Sequence, residues 1–541
     1  MIDSSPPTNS PTFIVAVDLG TTILRACLFD HKTCRLQSAC VEQVELVIDR
    51  NTKDGSLRVE IEPDKFYDQF IDVVQEIVSG LAPGAKCILS ICCLRNTFIS
   101  WDRRTLKACH RLVTWRDCRA RNDCATWNRS WTVKVLNVAG RCLYAVTRRP
   151  RFRAASVFLF INAMVTHRFL VTLHENARAR ELQRTGELEF GCVDSWILAR
   201  LTNGGLIQTE PSCVSSTGFY DPFQKNYNHF IMNLISFPTS LFLRLQPSTA
   251  EPGSRNPIAH IPDTIFKRPI ALSAILADQQ SAVFGAGCWR KGDVKISLGS
   301  GTFVAVNTGD RAHASLNGLY PLVGWSIGSV ENCTFVVEGN DHDTSLVLLW
   351  AQSIGLFDNV QETSAIAEEV GSSGGVVFVP AFGGLQSPYD DEFACAGFLG
   401  IRPNTTKQAM LRAVLEAIAF RVAEIFQTIR REIDLPDRPL VRICGGVSAN
   451  DFICQTISTL IDEPVERVEE ESYTAARGVA LMAGITEGLW TTDQITDFVK
   501  VARRFEPSRR DAEQVQRTFQ NWQRAVSRCL RFHKQADADI L

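Results

Sequence analysis

Five short stretches place polar side chains where chemistry could use them. DLGTTILR, residues 18–25, reads as strand, Gly-Thr-Thr bend and second strand. Such a bend turns backbone N–H groups and two hydroxyls, those of Thr21 and Thr22, outward, and a nest of that kind holds phosphate oxygens. Asp18, at the end of the first strand, could hold a hydrated magnesium ion, which keeps several waters and takes few carboxylates. Arg25 adds a fixed positive charge nearby. A Gly-Thr turn between strands is common, however, and in isolation a purely structural role is the better reading. In ILADQQSAVFGAG (275–287), Asp278 and Gln279 follow an apolar strand. A carboxylate there suits a general base that takes a proton from a bound hydroxyl, and it suits equally an aspartate capping the helix that opens at DQQS. LGSGTF (298–303) repeats the phosphate-type turn with Ser300 and Gly301. In CGGVSAN (444–450) a glycine pair either lets a flat ring lie on the backbone or only supplies the φ of a strand-to-helix turn. ICCLRNTFISWD (91–102) sets Arg95 and Asn96 inside what otherwise reads as two buried strands, and arginine is almost never buried without a partner.

The elements that must position these residues alternate between strand and helix. VKISLGSGTFVAVNTG (294–309) repeats the strand, glycine turn, strand design of FIVAVDLGTTILRACLFD (13–30). The repeat predicts two similarly built α/β halves. Pro63 opens an amphipathic helix, and KQAMLRAVLEAIAFRVAEIFQTIRREI (407–433) is the clearest helix of the chain, apolar over a broad face. It leads into the strand LVRIC, the turn GGVSAN and the helix DFICQTISTLI. Residues 1–12, polar and proline-rich, read as a disordered tail. ASVFLFINAMV (155–165) is too short to cross a bilayer and predicts a buried helix or strand. The segment after about 490 reads as amphipathic helices packed on the second half.

With 541 residues, 45% of them apolar and 21% charged, the chain is too long for one core. A net charge of -2 gives no global reason to expect nucleic acid or an acidic membrane as partner. RRPRFR (148–153) is a local exception, read as a solvated basic loop in preference to a phosphate-binding or partner patch. The 18 cysteines follow neither metal spacing nor a disulfide framework, and no secretory leader precedes them, so free thiols in a reducing cytoplasm are expected.

In this order and spacing the motifs together resemble the FGGY carbohydrate kinases of the actin-like ATPase superfamily, and within them the glycerol kinases. The resemblance runs from about 13 to about 490 and rests on DLGTTILR, LRNTFISWD, TWRDCRA, FGCVDSWILARLTNG, ADQQSAVFGAGCWRKGDVKISLGSGTF, FVPAFGGLQSPYDD, LEAIAFR and CGGVSANDF. ADQQSAVFG, GLYPLVGW and ACAGFLGIRPNT are similar to a divergent animal branch of that group. The resemblance implies an α/β fold of two actin-like, ribonuclease H-like ATPase domains: 13–285 on the polyol and phosphate side, 286–490 on the nucleotide side, and 491–541 as a helical tail. It implies ATP-dependent phosphorylation of glycerol to sn-glycerol 3-phosphate by in-line transfer, with Mg²⁺, and leaves homo-oligomerisation open. Thr21, Thr22, Arg25, Ser300 and Gly301 fall on the ATP phosphates, Ser345, Gly446 and Asn450 on the nucleoside side, and Asp18 and Asp278 on the metal. Asp278 is the implied base, and Arg95, Asn96, Trp115, Gln279 and Phe303 fall on the polyol pocket.

The sequence departs from the family pattern at four places. Asn96 stands where glycerol kinases carry glutamate, a change from charged acceptor to amide that costs about 1–2 kcal/mol toward glycerol. The pocket tyrosine is absent from 154–176. Ser345 replaces a glycine and could crowd the nucleotide, whereas Ser300 for threonine keeps the hydroxyl. These departures leave two alternatives beside glycerol kinase: a kinase for another small polyol or sugar, and a nucleotide-binding pseudokinase with a regulatory role.

Overall fold

Two mixed sheets, built on one plan, organise the chain in a computed structural model that describes residues 12–50, 52 and 55–533. In the first, strand Thr12–Leu19 runs antiparallel to Ile23–Asp30, which pairs antiparallel with Leu36–Gln43. On its other side Thr12–Leu19 is parallel to Lys86–Cys93, which is parallel to Ile270–Ala277, and the antiparallel strand Ala259–Ile261 closes the edge. The second sheet repeats this: Val294–Leu298 is antiparallel to Thr302–Gly309, parallel to Val441–Cys444, and continues through Val465–Val468 to an antiparallel edge, Val501–Phe505. Strands Cys333–Asp341 and Tyr320–Ser326 extend its other side. The twofold α/β plan expected from the repeated glycine turn is therefore present. The strands of the parallel core are buried on both faces, which explains their near-continuous β-branched and aliphatic runs.

The two sheets share a core through a pair of crossed helices. Asp278–Gly285 leaves the last parallel strand of the first sheet, and Thr474–Thr486 packs against it and against strands Thr12–Leu19, Lys86–Cys93 and Ile270–Ala277. Ile14, Ala16, Ile88, Leu276, Val283, Val479 and Met482 belong to one hydrophobic cluster. The crossing is close because it is made by glycines. A Cβ on Gly285 would overlap the carbonyl of Thr474, and one on Gly478 would overlap the carbonyl of Ser281.

Local readings fare unevenly. Helix Pro63–Ser79 begins at its proline, and helix Lys407–Glu432 begins where the Thr406 hydroxyl accepts from the Ala409 N–H. The stretch 155–165 is corrected: beyond helix Pro150–Ala155 it is irregular, with Phe160 buried and Val157 and Leu159 exposed. The tail after 490 is not all helical either. Val501–Phe505 supplies the sheet edge, and among the described residues only Ala512–Cys529 is the amphipathic helix expected, burying Phe519, Trp522 and Val526. Of residues 1–12, Thr12 opens the first strand and the rest lie outside the described residues.

Gly478→Ala should lower the free energy of unfolding by about 3 kcal/mol or more, because backbone, not a movable side chain, fills the space. Chemical denaturation reads this directly, and a loss below about 1 kcal/mol would show that the helices can separate freely.

Candidate active site

The two parallel neighbours of the first sheet end in register, Leu19 beside Cys93 and Cys93 beside Ala277. Three chemical residues therefore leave adjacent carboxyl ends of strands: Asp18, Arg95 two residues beyond Cys93, and Asp278 immediately after Ala277. In open α/β sheets ligands bind at these strand ends. The second sheet meets these residues through strand Cys333–Asp341, whose Glu338 reaches Arg95, and through Lys295, which reaches Gln279.

Arg95 is largely but not fully buried between two carboxylates. Its Nη2 donates to Glu338 Oε1 at 2.7 Å, its Nε lies 3.7 Å from Asp278 Oδ1, and its guanidinium sits 5.5 Å from the centre of the Phe303 ring. Burial opposes the Arg95 charge, but Glu338 and Asp278 together hold its pKa above the ordinary value. Asp278 is the first helical residue and not the cap: Ala277 occupies the cap with no side-chain bond, and Asp278 Oδ1 accepts from the Gln279 N–H at 2.8 Å. Burial pushes the Asp278 carboxyl up to about 6; Arg95 pulls it down, while Asp18 and Glu338 add to the rise. Asp18 is also raised by burial, against the pull of Arg25, whose Nη1 donates to Asp18 Oδ2 at 3.2 Å. Gln279 is held from the opposite sheet, its Oε1 accepting from buried Lys295 Nζ at 2.8 Å, and burial lowers the Lys295 pKa.

The phosphate and nucleoside positions separate into free and engaged groups. Thr22 and Ser300 are exposed, whereas Thr21 Oγ1 accepts from Trp115 Nε1 at 2.9 Å. Trp115 meets His342 of the other half edge-on at 5.2 Å, and burial, reinforced by Arg116 and Arg95, lowers the His342 pKa to about 4. Ser345 does not project freely. Its hydroxyl donates to the Gly299 carbonyl at 2.5 Å and its N–H to the Ser300 carbonyl at 3.2 Å, so it braces the turn. Asn450 caps helix Asp451–Ile461 through Oδ1 and donates from Nδ2 to Thr363 Oγ1 at 2.9 Å. Gly446 has no atom within 4 Å of where a Cβ would be, and Gly445 takes φ +91° with the Leu298 carbonyl beneath it.

Asn96 adopts φ +54°, the left-handed region that asparagine tolerates better than most residues. Its Oδ1 accepts from Ser216 Oγ at 2.9 Å and its carbonyl accepts from buried Arg168. The Ser216 bond engages the oxygen end of the Asn96 amide and not its Nδ2 donor.

Glu338 and Lys295 are site residues that sequence reasoning missed, along with His342. The signal was present in the first two: each is a charge set directly among apolar strand residues, FVVEG and VKISL, the same anomaly that marks Arg95. Asp18 and Asp278 are hard, partly buried oxygen donors whose charges oppose one another, a donor set that fits Mg²⁺. No group of three or more His, Cys, Asp or Glu converges among the described residues, so a metal here would keep most of its waters.

The FGGY family of carbohydrate kinases, N-terminal domain, matches residues 13–285, and the C-terminal domain of the same family matches 294–487. The chain belongs to the FGGY family of carbohydrate kinases, phosphotransferases with an alcohol group as acceptor. It is 36% identical over 532 residues to "Glycerol kinase 5" of Danio rerio, covering 97% of this chain and 98% of the relative. It is 34% identical over 528 residues to "Glycerol kinase 5" of Homo sapiens, covering 97% and 96%. To "Glycerol kinase 2" of Thermotoga maritima it is 29% identical over 527 residues, covering 96% and 99%. Among solved structures, that of Plasmodium falciparum glycerol kinase with ADP shares the fold with a TM-score of 0.82 at 21% identity, covering 96% of this chain and 99% of that one.

Two outcomes follow from the geometry. A carboxylate accepts a proton only when ionised, so a general-base role for Asp278 predicts that kcat/KM falls tenfold per pH unit below about 6 and levels off above it. Glu338→Gln removes the charge that orients Arg95 and should raise the KM for the alcohol roughly ten- to hundredfold, the range of a charge-assisted hydrogen bond, with a smaller effect on kcat. Steady-state kinetics at fixed ATP reads both.

Proposed function

We propose that this protein transfers the γ-phosphoryl group of ATP to a terminal hydroxyl of glycerol, giving sn-glycerol 3-phosphate, with Asp278 as the general base. The observation that carries the reading is the placement of Asp278. Its carboxyl is raised into the range where a base works near neutral pH, 3.7 Å from a guanidinium that the Glu338 carboxylate holds in place. Arg95 donates to polyol hydroxyls, Gln279, fixed by Lys295, adds its amide, and Trp115 and Phe303 supply surfaces for the carbon chain. Asp278 takes the hydroxyl proton as the oxygen attacks the γ-phosphorus and the bond to ADP breaks. Thr21, Thr22, Arg25, Ser300 and Gly301 steady the phosphates, and Gly446 underlies the adenosine. Asp18 and Asp278 would hold Mg²⁺, whose contribution is charge neutralisation on the phosphate oxygens. The halves 13–285 and 286–490 close over the substrates and exclude water. The relatives named glycerol kinase support this substrate.

A second reading has its own support. Asn96 brings a donor where glycerol kinases have an acceptor, and its oxygen is engaged by Ser216, an arrangement that favours a different polyol or sugar. ADP release by the purified protein in Mg-ATP is to be measured with glycerol and with a panel of longer polyols and sugars. The expected result is turnover on glycerol with the highest kcat/KM of the panel. Turnover only on another member transfers the assignment to that polyol. Tight nucleotide binding without turnover on any member would overturn both and leave the pseudokinase.

A further inference from the structure

Helix Trp131–Thr147 presents its apolar side to solvent. Only Val133 and Gly140 among its residues are buried, while Trp131 is 80% exposed, Val135 62%, Val138 54% and Val146 85%. At 3.6 residues per turn, Trp131, Val135, Val138, Cys142 and Val146 lie on one face, a stripe about 22 Å long. The orientation is fixed from within. Gly140 faces inward, and a Cβ there would come within 2.7 Å of the Ser156 N–H and 2.8 Å of the Ala155 carbonyl carbon, so helix Pro150–Ala155 locks the inner side. Ser130 caps the helix, its Oγ accepting from the Val133 N–H. The outward stripe is thus held in place, and no rotation of the helix can hide it without breaking this packing.

Charge identifies the occupant. From Cys124 to His174 the sequence contains eight Lys and Arg residues and no Asp or Glu, in a chain whose net charge is -2. Lys134 and Arg141 flank the stripe; Arg129 precedes the helix, and Arg148 and Arg149 follow it, all exposed. Lys134 Nζ lies 5.2 Å from the centre of the Trp131 ring, a cation beside an interfacial aromatic. One neighbour is neutralised: Arg151 donates to Asp221 at 2.7 Å. Tryptophan, valines and flanking cations on one convex helix are the composition of a segment that lies in the headgroup region of an anionic bilayer. A second copy fits worse, since a twofold contact would press two basic faces together.

We propose that helix 131–147, with the arginines of 148–149, is a peripheral docking surface for anionic membranes, independent of the kinase cleft. This revises the reading of RRPRFR as only a solvated loop.

The test uses full-length protein and sedimentation with vesicles of phosphatidylcholine alone or with about one third phosphatidylserine, at about 0.1 M and 0.5 M salt. The expected result is binding to the serine-containing vesicles at least tenfold tighter than to phosphatidylcholine, with release at the higher salt. Val138→Asp should lower that affinity at least tenfold, and the double change Arg148→Gln with Arg149→Gln should abolish the preference for anionic lipid. Both variants should keep wild-type circular dichroism and kinase kinetics, since neither touches the site. Equal binding to both vesicle types, or binding unaffected by Val138→Asp, would overturn the proposal. So would light scattering showing a dimer that Val138→Asp splits, which would assign the face to a second copy, or an acidic protein bound through the same residues in the absence of lipid affinity.

Discussion

The close crossing of helices 278–285 and 474–486 is the constraint on which the rest of the molecule depends. Gly285 and Gly478 bring two backbones to a separation that no side chain permits, and the contact joins helices that belong to different halves of the chain. Because the first of these helices starts at Asp278, the crossing fixes where that carboxylate stands. The C-terminal end of the second is tied down as well: Glu487 accepts from Lys86 at 2.7 Å and from the Ser273 hydroxyl at 2.7 Å. Residues of both sheets thus share one hydrophobic core.

The cleft is held by opposing charges that cost much to bury and that only make sense together. Arg95 on the first half is satisfied by Glu338 on the second, and the same guanidinium limits how far burial raises Asp278. Lys295 does for Gln279 what Glu338 does for Arg95: a charge on the second half orients a polar group on the first. The second half therefore supplies charged groups that position polar side chains of the first. Both contacts span the two halves, so Arg95 and Gln279 each depend on how the halves are packed together.

How much of this could be read in the residues depended on range. The Gly-Thr-Thr and Gly-Ser-Gly hairpins, the helix 407–432 and the strand-to-helix turn at 444–450 are local patterns, and they stand where the patterns put them. Arg95 was recognisable as anomalous, but its partner lies 243 residues away, and sequence spacing carries no information about that pairing. The two readings of Asp278 were likewise inseparable until the cap position fell on Ala277. Segment 155–165 and the strand 501–505 went wrong for the opposite reason. Their composition is ambiguous, and tertiary contacts decided: Phe160 packs into the core from an irregular stretch, and VARRF pairs with an exposed sheet edge.

What remains distinctive lies at two of the positions that depart from the family pattern, Asn96 and Ser345. Asn96 sits in a left-handed conformation with its oxygen taken by Ser216, and Ser345 has become a brace for the phosphate turn. The role of Asp278 can be isolated from substrate choice by comparing binding with transfer in Asp278→Asn. Calorimetry should find the preferred polyol bound within about threefold of wild type, while rapid-quench single-turnover transfer at saturating Mg-ATP slows by about 10²–10⁴-fold, the range for loss of a general base. Transfer within tenfold of wild type would contradict the assignment of Asp278 as the proton acceptor.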